Sequence, residues 1–157
     1  MSTKNDYNAE EWKAIASAPV AAGLFITLSD TSGPIGIAKE AMAVGRAITD
    51  AAQGQTPEIV KAIATSVKDS GRPETPDLPK MANREQSKLA LTSAIKNAVD
   101  AVERHSPGEV QAYKTWLTQI AKRVAEASKE GTFLGMGGTL VSKNEEEALE
   151  ELEQVLH

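Results

Sequence analysis

The chain contains no cysteine and only six aromatic residues among 157. The missing thiols exclude disulfides, zinc–thiolate sites and iron–sulfur clusters, and nothing in the composition points to an oxidising compartment. With so few aromatic rings, the core must be built from Ala, Leu, Ile and Val. Small aliphatic residues of this kind favour closely packed helices over sheets.

Nucleophilic and metal chemistry also lack their usual residues. The only histidines are His105 and His157, and we expect His105 to be an exposed residue in a turn between helices. The chain contains no Gly-x-Ser-x-Gly turn, no Walker loop and no dinucleotide-binding fingerprint. Its acidic residues do not follow the spacing of a calcium loop. These absences favour a protein that is not an enzyme, and they point to no particular cofactor or metal.

Membrane and nucleic-acid partners have little support. The longest apolar run, residues 18–28, has 11 residues, whereas a membrane-spanning helix needs roughly 20. The first twelve residues are polar and unlike a signal peptide, so we expect a cytoplasmic location. Residues 143–157 carry one Lys against six Glu, which accounts for the whole net charge of −5. Without a basic stripe, binding to nucleic acid or to an anionic membrane is not expected.

The pattern of caps and apolar residues predicts a single all-α domain of six or seven helices. Four helix starts carry capping-box spacing, in which a cap and a residue three positions later satisfy each other's N–H groups. These pairs are Asn8 with Glu11, Asn83 with Gln86, Ser106 with Glu109, and Ser142 with Glu145. Tyr7 and Trp12 are spaced to staple the first of these helices.

The expected helices cover residues 9–17, 35–52, 57–68, 83–104, 107–130 and 143–156. Pro19 either kinks the first helix or opens a further segment over residues 20–29. The helix at 35–52 has a stripe of mostly small residues that should let a neighbouring backbone come close (Ala38, Ala41, Gly45, Ile48, Ala52). Residues 70–82 form a proline-rich crossover loop. The helices at 83–104 and 107–130 should form an antiparallel hairpin at the centre of the domain.

The richest local signal for function is a glycine-rich apolar segment at residues 131–141, between two predicted helices. Its large apolar side chains predict an ordered, half-buried loop, and such loops often carry function. An earlier glycine turn covers residues 30–36. Trp116 lies at the border of an apolar stripe, either as core packing or as an anchor for a partner. The candidate ligand-binding or partner-binding residues are Asp30, Gly33, Gly36, Trp116, Lys129, Gly131, Phe133, Gly135, Met136, Gly137 and Gly138.

The segment around this loop resembles a family of small uncharacterised bacterial proteins. The chain reads KEGTFLGMGG at residues 129–138, then Val141-Ser142 and Glu145, and the family carries a similar KEGGFLGFGG, then VS, then E. Residues 18–40 are also similar to that family's opening. The resemblance implies a bacterial, cytoplasmic, helical protein and brings no activity. A fainter resemblance, in the glycine turn, Val-Ser and Glu, is to TerB-like helical domains of tellurite resistance.

Two functions remain open at this point. The first is association with an unknown protein partner or with itself as a homo-oligomer, in which Phe133→Ala or Met136→Ala would abolish association more than folding. The second is binding of a small ligand or metal, as in a stress-response protein, at a site where the two glycine turns approach each other.

Overall fold

A computed structural model describes residues 2–29, 34–51, 53–80, 83–127 and 143–157, with residues 34–41 described by their backbone only. The described segments are helical, and they contain no β-strand, which confirms the all-α prediction. A short 3₁₀ helix at Lys4–Asp6 precedes six α-helices. They are α1 (Ala9–Thr27), α2 (Pro34–Ala51), α3 (Glu58–Ser70), α4 (Arg84–His105), α5 (Val110–Ala127) and α6 (Lys143–Leu156).

Helix α1 lies at the centre of the bundle. It contacts α4 and α5 more extensively than those two helices contact each other, and it also packs against α2 and α6. Eleven of its 19 residues are buried, as expected for a helix that is apolar on nearly every face. The central position expected for the α4–α5 pair is therefore occupied by α1.

Proline 19 lies inside α1, and the helix does not end there. Proline has no N–H, so the carbonyl of Ile15, four residues earlier, lacks its helical donor. The buried hydroxyl of Tyr113 on α5 donates to this carbonyl at 2.8 Å. A side chain from a neighbouring helix thus replaces the hydrogen bond that the proline removes, and α1 runs on to Thr27.

Gly23 of α1 marks a close approach between helices. A Cβ added there would lie 2.6 Å from Val44 Cγ2 on α2 and 3.4 Å from Val124 Cγ2 on α5. The prediction of a close approach at Gly45 is wrong, because a Cβ added to that residue meets nothing within 4 Å. Ile48, from the same predicted stripe, is buried as expected.

Two capping boxes are confirmed. The side chain of Asn8 accepts from the Glu11 N–H at 2.8 Å, and Asn83 accepts from the Gln86 N–H at 2.8 Å. The rings of Tyr7 and Trp12 lie 6.2 Å apart beside the first box, which confirms the expected staple. The fourth pair begins at residue 142, outside the described segments.

The capping box predicted for Ser106 and Glu109 is wrong. The Ser106 hydroxyl hydrogen-bonds to the hydroxyls of Ser2 and Tyr7, at 2.5 and 2.9 Å. Oε1 of Glu109 accepts from the backbone N–H of Glu58 at 2.8 Å, at the start of α3. Residues 107–109 form a turn, so α5 begins three residues later than predicted.

The inward faces of α3, α4 and α6 follow the predicted spacing. Their buried residues include Ile59 and Ile63, then Leu91, Ile95, Ala98 and Val102, then Leu152 and Leu156. Gly71 ends α3 in the left-handed conformation at φ 74°, which glycine adopts without strain.

In the loop after α3, Asp77 forms an ion pair with Lys13 of α1 at 2.6 Å. Within the described residues, none of the helices is long and apolar enough to cross a membrane.

Candidate functional site

Most of the candidate residues named from the sequence lie outside the described segments. These are Asp30, Gly33, Lys129, Gly131, Phe133, Gly135, Met136, Gly137 and Gly138. Gly36 lies in the first turn of α2, within the part described by its backbone only. Their roles stay predictions, and Trp116 is the candidate whose surroundings the structure describes.

The C-terminal ends of α1 and α5, which precede the two glycine turns in the sequence, lie at the same end of the bundle. Gly23, in the second half of α1, packs beside Val124 near the end of α5. The first turn follows α1 and the second follows α5. Most of both turns lies outside the described residues, so a site formed by them stays a prediction.

Trp116 is 6% exposed and packs in the core beside Tyr113, with ring centroids 6.1 Å apart and planes at 42°. Burial raises the pKa of the Tyr113 hydroxyl well above its ordinary value, with a smaller contribution from Tyr7. Tyr113 therefore stays protonated and remains a hydrogen-bond donor. The core interpretation of Trp116 holds for the isolated chain.

A groove of about 630 Å³ opens above Trp116, between the C-terminal half of α2, the α2–α3 loop and α5. Its apolar lining consists of Trp116 with Ala47, Ala51, Pro57, Ala112 and Ile120. Its polar lining is mostly uncharged and includes Gln55, Thr56, Gln111, Thr115 and Gln119. The volume falls in the range of pockets that bind small ligands.

One face of α5 forms a wall of this groove. Four of its residues are solvent-exposed and uncharged: Gln111, Ala112, Thr115 and Gln119, which we call the α5 stripe. Successive members are one, three and four residues apart, which places all four on one side of the helix. Exposed positions of α4 are, by contrast, frequently charged, as at Glu85, Lys96, Asp100 and Glu103.

The two charged residues that line the groove are bonded to each other. Arg123 Nη1 of α5 lies 3.3 Å from Asp50 Oδ2 of α2, and both side chains are more than half exposed. Among the described residues that line the groove, Asp50 is the only carboxylate and there is no histidine. The described lining therefore offers shape, apolar area and neutral hydrogen-bonding groups, and this part of the groove contains no free acid–base pair of the kind that proton-transfer catalysis uses.

A second polar cluster joins the N-terminal segment to the end of α4. His105 is the last residue of α4, and its Nε2 lies 3.2 Å from Glu11 Oε1. Arg104 Nη1 lies 3.1 Å from the same oxygen. Tyr7 meets the His105 imidazole edge-on, with centroids 5.2 Å apart. His105 is exposed, as expected, but it is the last residue of α4 and not part of the turn, and its ring ties α4 to α1.

This cluster does not form a nucleophile and its base. The described hydrogen bonds of the Ser106 hydroxyl go to the hydroxyls of Ser2 and Tyr7, while those of the His105 ring go to Glu11. A serine nucleophile needs its hydroxyl bonded to the base. The described part of the chain also contains no group of three acidic or histidine side chains that could hold a metal ion.

The α5 stripe is the feature that sequence reasoning missed. The sequence does indicate it, because several neighbouring positions on one side of α5 carry no charge in a chain of which 25% is charged. Recognising it requires knowing which face of α5 the core covers. No protein-family model, curated protein or solved structure matches this chain. The resemblances described above therefore stay predictions that depend on the residues quoted for them.

Proposed function

We propose that this chain is a non-enzymatic protein that acts by binding another protein chain in the groove between α2 and α5. The observation that carries this proposal is the uncharged, exposed α5 stripe beside a groove whose floor is Trp116. The centres of protein interfaces are depleted of charged residues, because burying an unpaired charge is costly. A cytoplasmic location, expected from the sequence, belongs to the same proposal.

The composition of the groove favours a peptide segment over a charged partner. Its amide and hydroxyl groups both donate and accept, so they can pair with the polar groups of a helix or an extended segment. Its small residues, Ala47, Ala51 and Ala112, let a backbone approach closely. In the described lining, Asp50 and Arg123 pair with each other and leave no net charge to attract phosphate or nucleic acid.

Selection of peptides from a neutral helical library tests this proposal. The two tryptophan indole N–H groups serve as reporters in an NMR spectrum, because Trp116 lies under the groove and Trp12 lies in the N-terminal staple. We expect selected peptides to shift the Trp116 resonance and to leave the Trp12 resonance in place.

A variant with a charge in the stripe supplies the control. Thr115→Arg should weaken peptide binding by at least ~10-fold, because its guanidinium is desolvated without a partner. Ser93→Arg, at an exposed position of α4, adds the same charge away from the groove and should leave binding unchanged. Peptides that shift only Trp12, or that bind Thr115→Arg equally well, would contradict the proposal.

Binding of a small ligand or metal near the two glycine turns is the second candidate. It is supported by the C-terminal ends of α1 and α5, which precede the two turns and lie at the same end of the bundle. Native mass spectrometry of protein purified without chelator tests it. The expected result is additional mass that survives desalting, and a spectrum with bare protein alone would refute it.

A further inference from the structure

Thr115 of the α5 stripe has a glutamine on each side of it. Gln111 lies four residues before it and Gln119 four residues after it, so the helix presents an amide on each side at equal distance. In an antiparallel pair of identical helices that cross at Thr115, residue 115 − k faces residue 115 + k of the other copy. Gln111 of each copy then faces Gln119 of the other.

We infer that the occupant of the groove is a second copy of this chain, in a two-fold pair whose α5 helices cross antiparallel at Thr115. The inference rests on the proposed function, since it names the partner for the same groove. Two-fold interfaces are the commonest in soluble oligomers, and they require a surface that is complementary to itself.

Charge makes the α5 stripe compatible with itself. Groups near a two-fold axis meet their own copies, so a charged residue there is placed beside a like charge. The stripe carries no charge, and each amide in it can both donate to and accept from the amide that it faces. The exposed outer side of α6, with Glu146, Glu147 and Glu150, would instead place glutamates of one copy beside those of the other.

Shape supports the same arrangement. Each copy offers a ridge, the exposed side of α5, and a groove beside it with Ala47, Ala51 and Ala112 in its lining. The ridge of one copy enters the groove of the other, and small residues at the contact permit an interaxial distance of about 8–10 Å.

Paired charge substitutions test the crossing geometry. Gln111→Lys with Gln119→Glu converts both amide contacts into Lys–Glu contacts between copies and leaves the net charge unchanged. Gln111→Glu with Gln119→Glu converts both into contacts between like charges. In one chain these two positions are eight residues apart, roughly 12 Å along the helix, so their direct interaction within a copy is weak.

Sedimentation velocity at 150 mM salt gives the readout. We expect wild type and the Lys–Glu variant to sediment at twice the 16.7 kDa chain mass. The dissociation constant of the Glu–Glu variant should rise at least ~10-fold. Added salt should weaken the Lys–Glu dimer and partly restore the Glu–Glu dimer. Ser93→Glu with Asn97→Glu, on the exposed side of α4, adds the same charge and should keep the wild-type mass.

The outcomes separate this inference from the proposed function. A wild-type chain that stays monomeric while library peptides still shift Trp116 overturns the second copy as occupant and leaves the groove as a site for another protein. A monomer that binds no peptide overturns both. A dimer that dissociates equally in both charge variants overturns the antiparallel crossing at Thr115.

Discussion

The hydrogen bond from Tyr113 to the carbonyl of Ile15 should compensate for Pro19, and this can be measured as a coupling between two substitutions. Tyr113→Phe removes the hydroxyl and keeps the ring, including its packing against Trp116. Both Tyr113 and Ile15 are 0% exposed, so water cannot replace the lost donor. A buried carbonyl left without a partner costs about 1–3 kcal/mol.

The cost should depend on residue 19. In the Pro19→Ala background, the new backbone N–H of residue 19 can donate to Ile15 as in an ordinary helix. Removing the Tyr113 hydroxyl then leaves no unsatisfied carbonyl, and we expect its cost to fall by about 1–2 kcal/mol. The stability change of Pro19→Ala alone combines helix propensity, packing and chain entropy. The test therefore depends on the coupling free energy between the two substitutions and not on the stability of either single variant.

Urea unfolding of wild type, both single variants and the double variant gives the four free energies of the cycle. Tyr7→Phe is a matched control, because its hydroxyl bonds to Ser106 and has no connection with Pro19. Its cost should be the same in both backgrounds. A Tyr113→Phe cost that is equal in the wild-type and Pro19→Ala backgrounds would refute the compensation.

Three further results follow from single contacts. Gly23→Ala places a Cβ 2.6 Å from Val44 Cγ2, so it should destabilise the fold by about 1–3 kcal/mol in thermal unfolding, and Val44→Ala in the same chain should restore part of the loss. Glu109→Ala removes the acceptor at the start of α3, so amide hydrogen exchange in the first turn of α3 should accelerate while the last turn keeps its rate. The pKa of Glu11 is held below its ordinary value, first by the N–H of Asn8 and then by His105 and Arg104. The Glu11 carboxylate therefore stabilises the fold at pH values above the ordinary glutamate pKa, and this stabilisation is lost as pH falls through the lowered pKa. An NMR titration of the Glu11 carboxyl should show a midpoint below the ordinary glutamate pKa. Glu11→Gln should remove this loss from a plot of unfolding free energy against pH.

Features encoded over a few residues could be predicted from the sequence. The boxes at Asn8 and Asn83 depend on a residue three positions away, and both form as expected. The inward face of α4 follows from helical spacing alone. The all-α class follows from the same local signals, together with the small number of aromatic residues.

Features that depend on distant partners could not be predicted in this way. Ser106 and Glu109 have the spacing of a capping box, yet Ser106 pairs with Ser2, 104 residues away, and Glu109 pairs with the start of α3, 51 residues away. A local motif competes with every other donor and acceptor that the fold brings near. Proline 19 illustrates the same limit, because the donor that lets α1 continue comes from Tyr113, 98 residues beyond the Ile15 carbonyl that it serves.

Trp116 shows that the sequence predicted only part of the candidate site. A tryptophan at the border of an apolar stripe suggested either core packing or an anchor that inserts into a partner. At 6% exposure it has little surface left to bury, and hydrophobic gain scales with the area newly removed from water. In the proposed association, the driving force would therefore come from the α5 stripe and the small residues of α2. Truncating Trp116 would mainly change the stability of the fold, whereas charges at Gln111 and Gln119 would mainly change the proposed association. Substitutions in the α5 stripe can therefore distinguish an effect on association from an effect on folding.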